Sequence, residues 1–125
     1  MRIMTVDDSS VVRKIIRAAA EVLQYELEEA ESGMEALEIL EKLNGEIDLI
    51  LLDWNMPGMN GYELLQKLKS IDRYRSIPVM MVTTEGQKEN IVMAVKAGAV
   101  HYMTKPFAME DLIKRILECM GRGPI

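Results

Sequence analysis

At 125 residues, 49% hydrophobic and 28% charged, the chain has the composition of one ordinary globular domain, long enough to bury roughly two-thirds of its unfolded surface. Its net charge of -5 offers no basic field to nucleic acid or anionic lipid, and no apolar run approaches the ~18 residues of a membrane span. Cys119 is the single cysteine, which excludes a disulfide framework and a cysteine zinc site; with no secretory leader at the N-terminus, the cytoplasm is the expected compartment.

Arg2–Val6 reads as a short strand that ends in the pair Asp7-Asp8. Ser9 or Ser10 then caps a helix whose apolar positions Val11, Val12, Ile15, Ile16, Ala19 and Leu23 keep a helical period. Residues 25–30 form a weaker strand, expected because the alternation requires one. Ser32 followed by Glu35 matches a capping box, Ala36, Leu37, Leu40 and Leu43 supply an apolar stripe, and Asn44-Gly45 closes that helix.

Residues 47–52 are an apolar run suited to a strand covered on both faces, and it ends abruptly in Asp53. Pro57-Gly58 and Asn60-Gly61 follow as turn signals. Asp53 is thus carried to a strand tip, on the edge of an open α/β sheet where ligands bind. Alone, it fits equally a residue that ends a strand or caps a turn. A helix with Leu64, Leu65 and Leu68 comes next. Residues 77–82 are a fourth strand, with Pro78 at its start, leading into Thr83-Thr84-Glu85-Gly86. A helix over 88–97 stops at Gly98. A fifth strand over 99–104 ends in Lys105-Pro106, and an amphipathic helix over 109–120 turns Leu112, Ile113, Ile116 and Leu117 inward.

Five strands alternating with five helices predict a doubly wound, five-stranded parallel sheet in one α/β domain over 1–120, with a short tail at 121–125 and too few residues beyond for an output domain. The eleven methionines either fill core or form an adaptable binding surface. Met4, Met80, Met81 and Met103 lie in strand-like runs, which favours core.

All strand tips of a parallel sheet share one edge. Here they carry Asp7 and Asp8, Asp53, Thr83 and Thr84, and Lys105. A pair of carboxylates ~4 Å apart costs about 4 kcal/mol at an effective dielectric near 20, so either their pKa values rise or a cation sits among them. Oxygen ligands few in number suit Mg²⁺. With Lys105 and a threonine hydroxyl alongside, a phosphoryl group is the natural guest. Each residue singly also fits a structural role; the combination favours the functional one. No phosphate loop or dinucleotide fingerprint is present. His101, the single histidine, supports neither a triad nor a histidine zinc site.

Asp7-Asp8, Asp53, Thr83 and Lys105-Pro106, each at its strand end, resemble the receiver domain of two-component response regulators. Asp53-Trp54-Asn55-Met56-Pro57, Lys88-Glu89-Asn90-Ile91, Ala97-Gly98-Ala99 and Lys105-Pro106-Phe107 look most like its single-domain, CheY-like chemotaxis branch. The resemblance implies the flavodoxin-like strand order 2-1-3-4-5. It makes Asp53 the acceptor of a phosphoryl group from a CheA-like sensor histidine kinase. Mg²⁺ would be held by Asp8, Asp53 and the Asn55 carbonyl, and reached by Asp7 through water. Thr83 and Lys105 would bind phosphoryl oxygens, Asn55 and Glu85 would place the water for rapid self-dephosphorylation, and the Lys105-Pro106 bond would be cis.

Output would couple Thr83 to Tyr102, turning it inward, and would strengthen binding of a target such as a flagellar motor switch component. Ile91, Val92, Met93 and Val95 give the fourth helix more apolar residues than one buried stripe needs. Ile91 and Val95, with Tyr102, are therefore either a partner site or part of a broad core-facing side. Asn60 and Thr104 depart from the family pattern, and Thr104 borders the output surface. The expected protein is a monomeric switch that catalyses only its own phosphorylation and dephosphorylation. The alternatives are a receiver in a phosphorelay outside chemotaxis, a module that never uses phosphate, and a small Mg²⁺-dependent phosphohydrolase. That last class wants a second Asp where Asn55 stands.

Overall fold

The computed structural model describes residues 1–121; of the expected tail, residues 122–125 lie outside the described residues. The elements are β1 (Arg2–Val6), α1 (Ser10–Leu23), β2 (Glu26–Ala30), α2 (Gly33–Lys42), β3 (Leu49–Leu52), α3 (Gly61–Ser70), β4 (Val79–Thr83), α4 (Lys88–Lys96), β5 (His101–Thr104) and α5 (Met109–Cys119). The strands form one sheet in the order β2-β1-β3-β4-β5, every pair parallel.

The continuous apolar character of β3 follows from what covers it. Ile50 and Leu52 face a core shared with Leu40 of α2, Leu64, Leu65 and Leu68 of α3 and Ala94 of α4. Leu49 and Leu51 face the opposite core, filled by Ile16, Ala19 and Ala20 of α1 and Leu112 and Ile116 of α5. Alternate residues of one strand therefore enter two cores, and each fully buried leucine contributes about 1.5–3 kcal/mol. Met4, Met80, Met81 and Met103 are all buried, as expected, while Met1, Met34 and Met93 are exposed.

Several boundaries move for local reasons. Ser9, not Ser10, caps α1, accepting from the Val12 N–H. β3 begins at Leu49, because the Ile47 N–H turns back to the Gly45 carbonyl and the Asp48 carboxylate accepts from the Arg2 N–H. At Ser32 only half of the expected capping box forms: its hydroxyl accepts from the Glu35 N–H. The complete box lies at Asn60 and Glu63, where side chain and backbone bond reciprocally. Asn60-Gly61, read above as a turn, is therefore the start of α3.

The fourth helix does not turn a broad side inward. Ala94 is its single buried residue, and Val92, Met93 and Val95 are exposed. Its surplus of apolar residues faces outward.

Candidate functional site

The tips of β1, β3, β4 and β5 meet at one edge because each strand is held in parallel register by its neighbour. The Asp53 N–H donates to the Val6 carbonyl, the Asp7 N–H to the Ala30 carbonyl and the Lys105 N–H to the Thr83 carbonyl. These bonds carry residues far apart in sequence to the same end of the sheet. Asp7 and Asp53 are 2% and 5% exposed, whereas Asp8 is open to solvent.

Lys105 ties the acidic group together. Its Nζ lies 2.8 Å from Asp7 Oδ2 and 3.4 Å from Asp53 Oδ2. The Ser9 N–H donates to Asp7 Oδ1, and the Asn55 N–H to Asp53 Oδ1. Burial pushes the Asp7 carboxyl above its ordinary range, against the opposing pull of the bonds from Lys105 and Ser9. One oxygen from each of Asp7, Asp8 and Asp53 lies within 4.8 Å of the others.

This donor set fits Mg²⁺. All the side-chain ligands on offer are hard carboxylate oxygens, two of the three carboxylates are buried, and one ammonium leaves their repulsion only partly offset. Asp7, Asp8 and Asp53 are the residues that would hold the ion.

Thr83 is fully buried at the tip of β4. Its Oγ1 accepts from the Glu85 N–H at 3.2 Å, and the Glu85 carbonyl accepts from the Tyr102 hydroxyl at 2.5 Å. Thr83 and Tyr102 are thus joined through the backbone of one residue. Tyr102 is half-buried and packs against the core. Burial, with Glu85 and Asp53 nearby, pushes its phenol up to about 12. Bonds from the Asn90 side chain and the Gln87 N–H lower the pKa of the Glu85 carboxyl. Asn55 is exposed, and its side-chain amide donates to Thr84 Oγ1 at 3.2 Å. The Lys105-Pro106 bond is cis, as the resemblance implied.

Asp7, Asp8, Asp53, Asn55, Thr83, Glu85 and Lys105 are therefore brought to one edge. Ile91 and Val95 are not part of it: they stand on α4, Ile91 half-buried and Val95 exposed. Sequence reasoning missed two supporting residues. Arg13 donates from Nη1 to the Asp7 carbonyl at 2.7 Å while its guanidinium pairs with Glu29 and Glu31. The signal for it was a cation one turn beyond the cap of α1. Gly61 lies against the backbone of Asp53 and Trp54, with its N–H bonded to the Trp54 carbonyl. Trp54 itself stacks on Tyr62 with ring centroids 5.2 Å apart.

The arrangement presents a buried carboxylate beside an ammonium, within an acidic group able to hold a cation, with a threonine hydroxyl at the next strand tip. Comparison with known proteins places the whole chain in one family. Residues 3–117 match the family model described as the response regulator receiver domain. The chain is 40% identical over 124 residues to the chemotaxis protein CheY homolog of Campylobacter jejuni, covering 98% of this chain and 95% of that one. It is 42% identical over 122 residues to the chemotaxis protein CheY1 of Helicobacter pylori, covering 97% and 98%. Among solved structures, Vibrio cholerae CheY4 superposes with a TM-score of 0.87 at 32% identity, covering 94% and 97%. A CheY-like receiver from Methanospirillum hungatei gives 0.87 at 33% identity, covering 96% and 93%.

Proposed function

The chain belongs to the response regulator receiver family, and from that premise we propose that it is a CheY-like switch phosphorylated on Asp53 and acting in chemotaxis. The observation that carries the reading is Lys105 Nζ standing 3.4 Å from the buried Asp53 carboxylate, inside an acidic group able to hold a divalent cation. Receivers of this kind are signalling switches rather than enzymes with turnover on an external substrate.

Bound Mg²⁺ would supply positive charge to the transferring phosphoryl oxygens. The protein's own residues do the rest. An Asp53 oxygen attacks phosphorus on the phosphohistidine of a sensor kinase, and the P–N bond breaks toward the imidazole. Lys105 neutralises the gathering negative charge, and Thr83 offers its hydroxyl to a phosphoryl oxygen. The Thr83 oxygen also accepts from the Glu85 N–H, and the Glu85 carbonyl anchors Tyr102. Phosphorylation is thereby coupled to Tyr102 and to the exposed apolar surface of α4 around Val95. That surface would bind a downstream target such as a flagellar motor switch component. Asn55 and Glu85 flank the acceptor and would orient the water that removes the phosphoryl group. No helix among the described residues is long and apolar enough to cross a membrane, which accords with a cytoplasmic partner.

The test is intact mass and Trp54 fluorescence after treatment with acetyl phosphate, with and without Mg²⁺, on the native protein and Asp53→Asn. A Mg²⁺-dependent, self-reversing phosphoryl adduct absent from the variant is expected. No adduct and no response to Mg²⁺ would overturn the reading.

A further inference from the structure

The loop that leads from Asp53 to α3 is held sideways as well as at its ends. The Asp53 N–H fixes its start on the Val6 carbonyl, and the Gly61 N–H closes its end on the Trp54 carbonyl. Between them Met56 is buried, Pro57 and Gly58 are exposed, and Met59 is half-buried against the core. Met59 lies across Gly33, the buried first residue of α2. A Cβ built on Gly33 would stand 2.9 Å from Met59 Sδ and 3.3 Å from Met59 Cβ. The second distance reaches the root of the side chain, so turning the thioether aside would not free the space. Gly33 is tied to the acidic group through the residues before it. The Ala30 carbonyl accepts from the Asp7 N–H, and the Glu31 carboxylate pairs with the Arg13 guanidinium that also donates to the Asp7 carbonyl. On the other side of the contact, the loop that carries Met59 also places the Asn55 N–H on Asp53 Oδ1. Met59 on Gly33 therefore joins the backbone that sets Asp7 to the loop that sets Asp53.

Mg²⁺ demands near-octahedral oxygens at ~2.0–2.1 Å, whereas Ca²⁺ accepts irregular sets at ~2.3–2.6 Å. Carboxylates on a frame that resists expansion favour the smaller ion, and carboxylates free to drift lose that preference. Resting on the reading of Asp7, Asp8 and Asp53 as a cation site, we propose that Met59, seated on Gly33, is a positioning residue that fixes the spacing of these carboxylates and gives the site its preference for Mg²⁺ over Ca²⁺. An unbranched thioether suits the narrow seat over a glycine, and leucine, of similar volume, is the conservative replacement. Met59 thus has a use that the sequence does not announce: it neither fills a strand core nor forms a binding surface.

Titration calorimetry with Mg²⁺ and with Ca²⁺, on the unphosphorylated protein, provides the test. Met59→Ala should raise the Kd for Mg²⁺ on the order of tenfold, as loss of outer-shell support does at metal sites. The Kd for Ca²⁺ should rise by about twofold or less, because its coordination tolerates looser geometry. Gly33→Ala, which pushes Met59 off its seat, should shift the ratio of the two constants in the same direction, and Met59→Leu should keep the native ratio. If both changes act through one contact, the double variant Gly33→Ala/Met59→Ala should bind Mg²⁺ no more weakly than Met59→Ala alone. Urea unfolding without metal gives the stability of each variant separately. A loss of stability with an unchanged ratio of constants, or equal weakening of both ions, overturns the positioning role and leaves the cation site standing. Additive effects of the two substitutions overturn the contact as its route. Absence of Mg²⁺ binding to the native protein overturns the cation site and the positioning role together.

Discussion

Asp7 shows how a residue suited to a site is held there against its own preference. Burial raises its pKa above the ordinary 3.8. A carboxyl whose folded pKa exceeds its unfolded one favours the fold most below the unfolded value, and that contribution is lost as pH rises through the folded value. At neutral pH the ionised Asp7 therefore weakens the metal-free protein. Asp7→Asn is expected to raise its melting temperature by a few degrees at pH 7, with the gain shrinking toward pH 4. Thermal melts in EDTA at the two pH values check this. A variant that melts lower at pH 7 would mean that the 2.8 Å bond to Lys105 outweighs burial. The flanking polar residues invite a kinetic test. Asn55 is held by Thr84, and the Glu85 backbone by Thr83 and Tyr102. Asn55→Lys and Glu85→Lys are expected to lengthen the life of the phosphoryl adduct severalfold, followed by its decay after donor removal. An unchanged decay rate would remove both residues from water placement.

Elements meet with little tolerance at the entry to α3. A Cβ built on Gly61 overlaps the Asp53 carbonyl oxygen and presses on the Trp54 Cα. Backbone cannot give way as a flexible side chain would, so Gly61→Ala is expected to cost about 3 kcal/mol and to slow phosphorylation by displacing the acceptor. Urea unfolding and the acetyl phosphate rate measure the two effects. Stability within 0.5 kcal/mol of native would show that the loop relaxes. Gly61 also marks a limit of what the sequence makes legible. Asn60-Gly61 has the composition of a turn, and the contact that demands glycine is made only when the loop after β3 closes on Asp53. Strands such as β3 and β4 were readable because burial on both faces leaves a run without polar interruption. Asp7, Asp53, Thr83 and Lys105 were readable because a parallel sheet puts all their tips on one edge. Arg13 was harder to read: a cation one turn beyond the cap of α1 does not by itself reveal that its target is the Asp7 backbone carbonyl. The facing of α4 was also hidden, since apolar residues of a helix read the same whether they meet core or solvent.

Across the sheet, the cores are apolar while the functional edge is electrostatically unfinished. Two apolar clusters hold the two faces, and the edge gathers Asp7, Asp8 and Asp53 around a single close ammonium. Repulsion among these carboxylates opposes folding, and a cation that binds the folded edge, and not the unfolded chain, removes it. Stabilisation by such a ligand grows as the logarithm of its concentration over Kd, reaching about 2.7 kcal/mol at a hundredfold excess. Adding Mg²⁺ to the metal-free protein is therefore expected to raise its melting temperature progressively, by several degrees at saturation. Asp8 is exposed, so Asp8→Asn should fold normally and lose most of that response. Asp7→Asn should start from a higher melting temperature and gain less. The pair of variants separates burial from ligation, because only Asp7 carries the cost of a buried charge. An equal Mg²⁺ response in native protein and Asp8→Asn would place the ion elsewhere and detach the acidic edge from the stability of the fold.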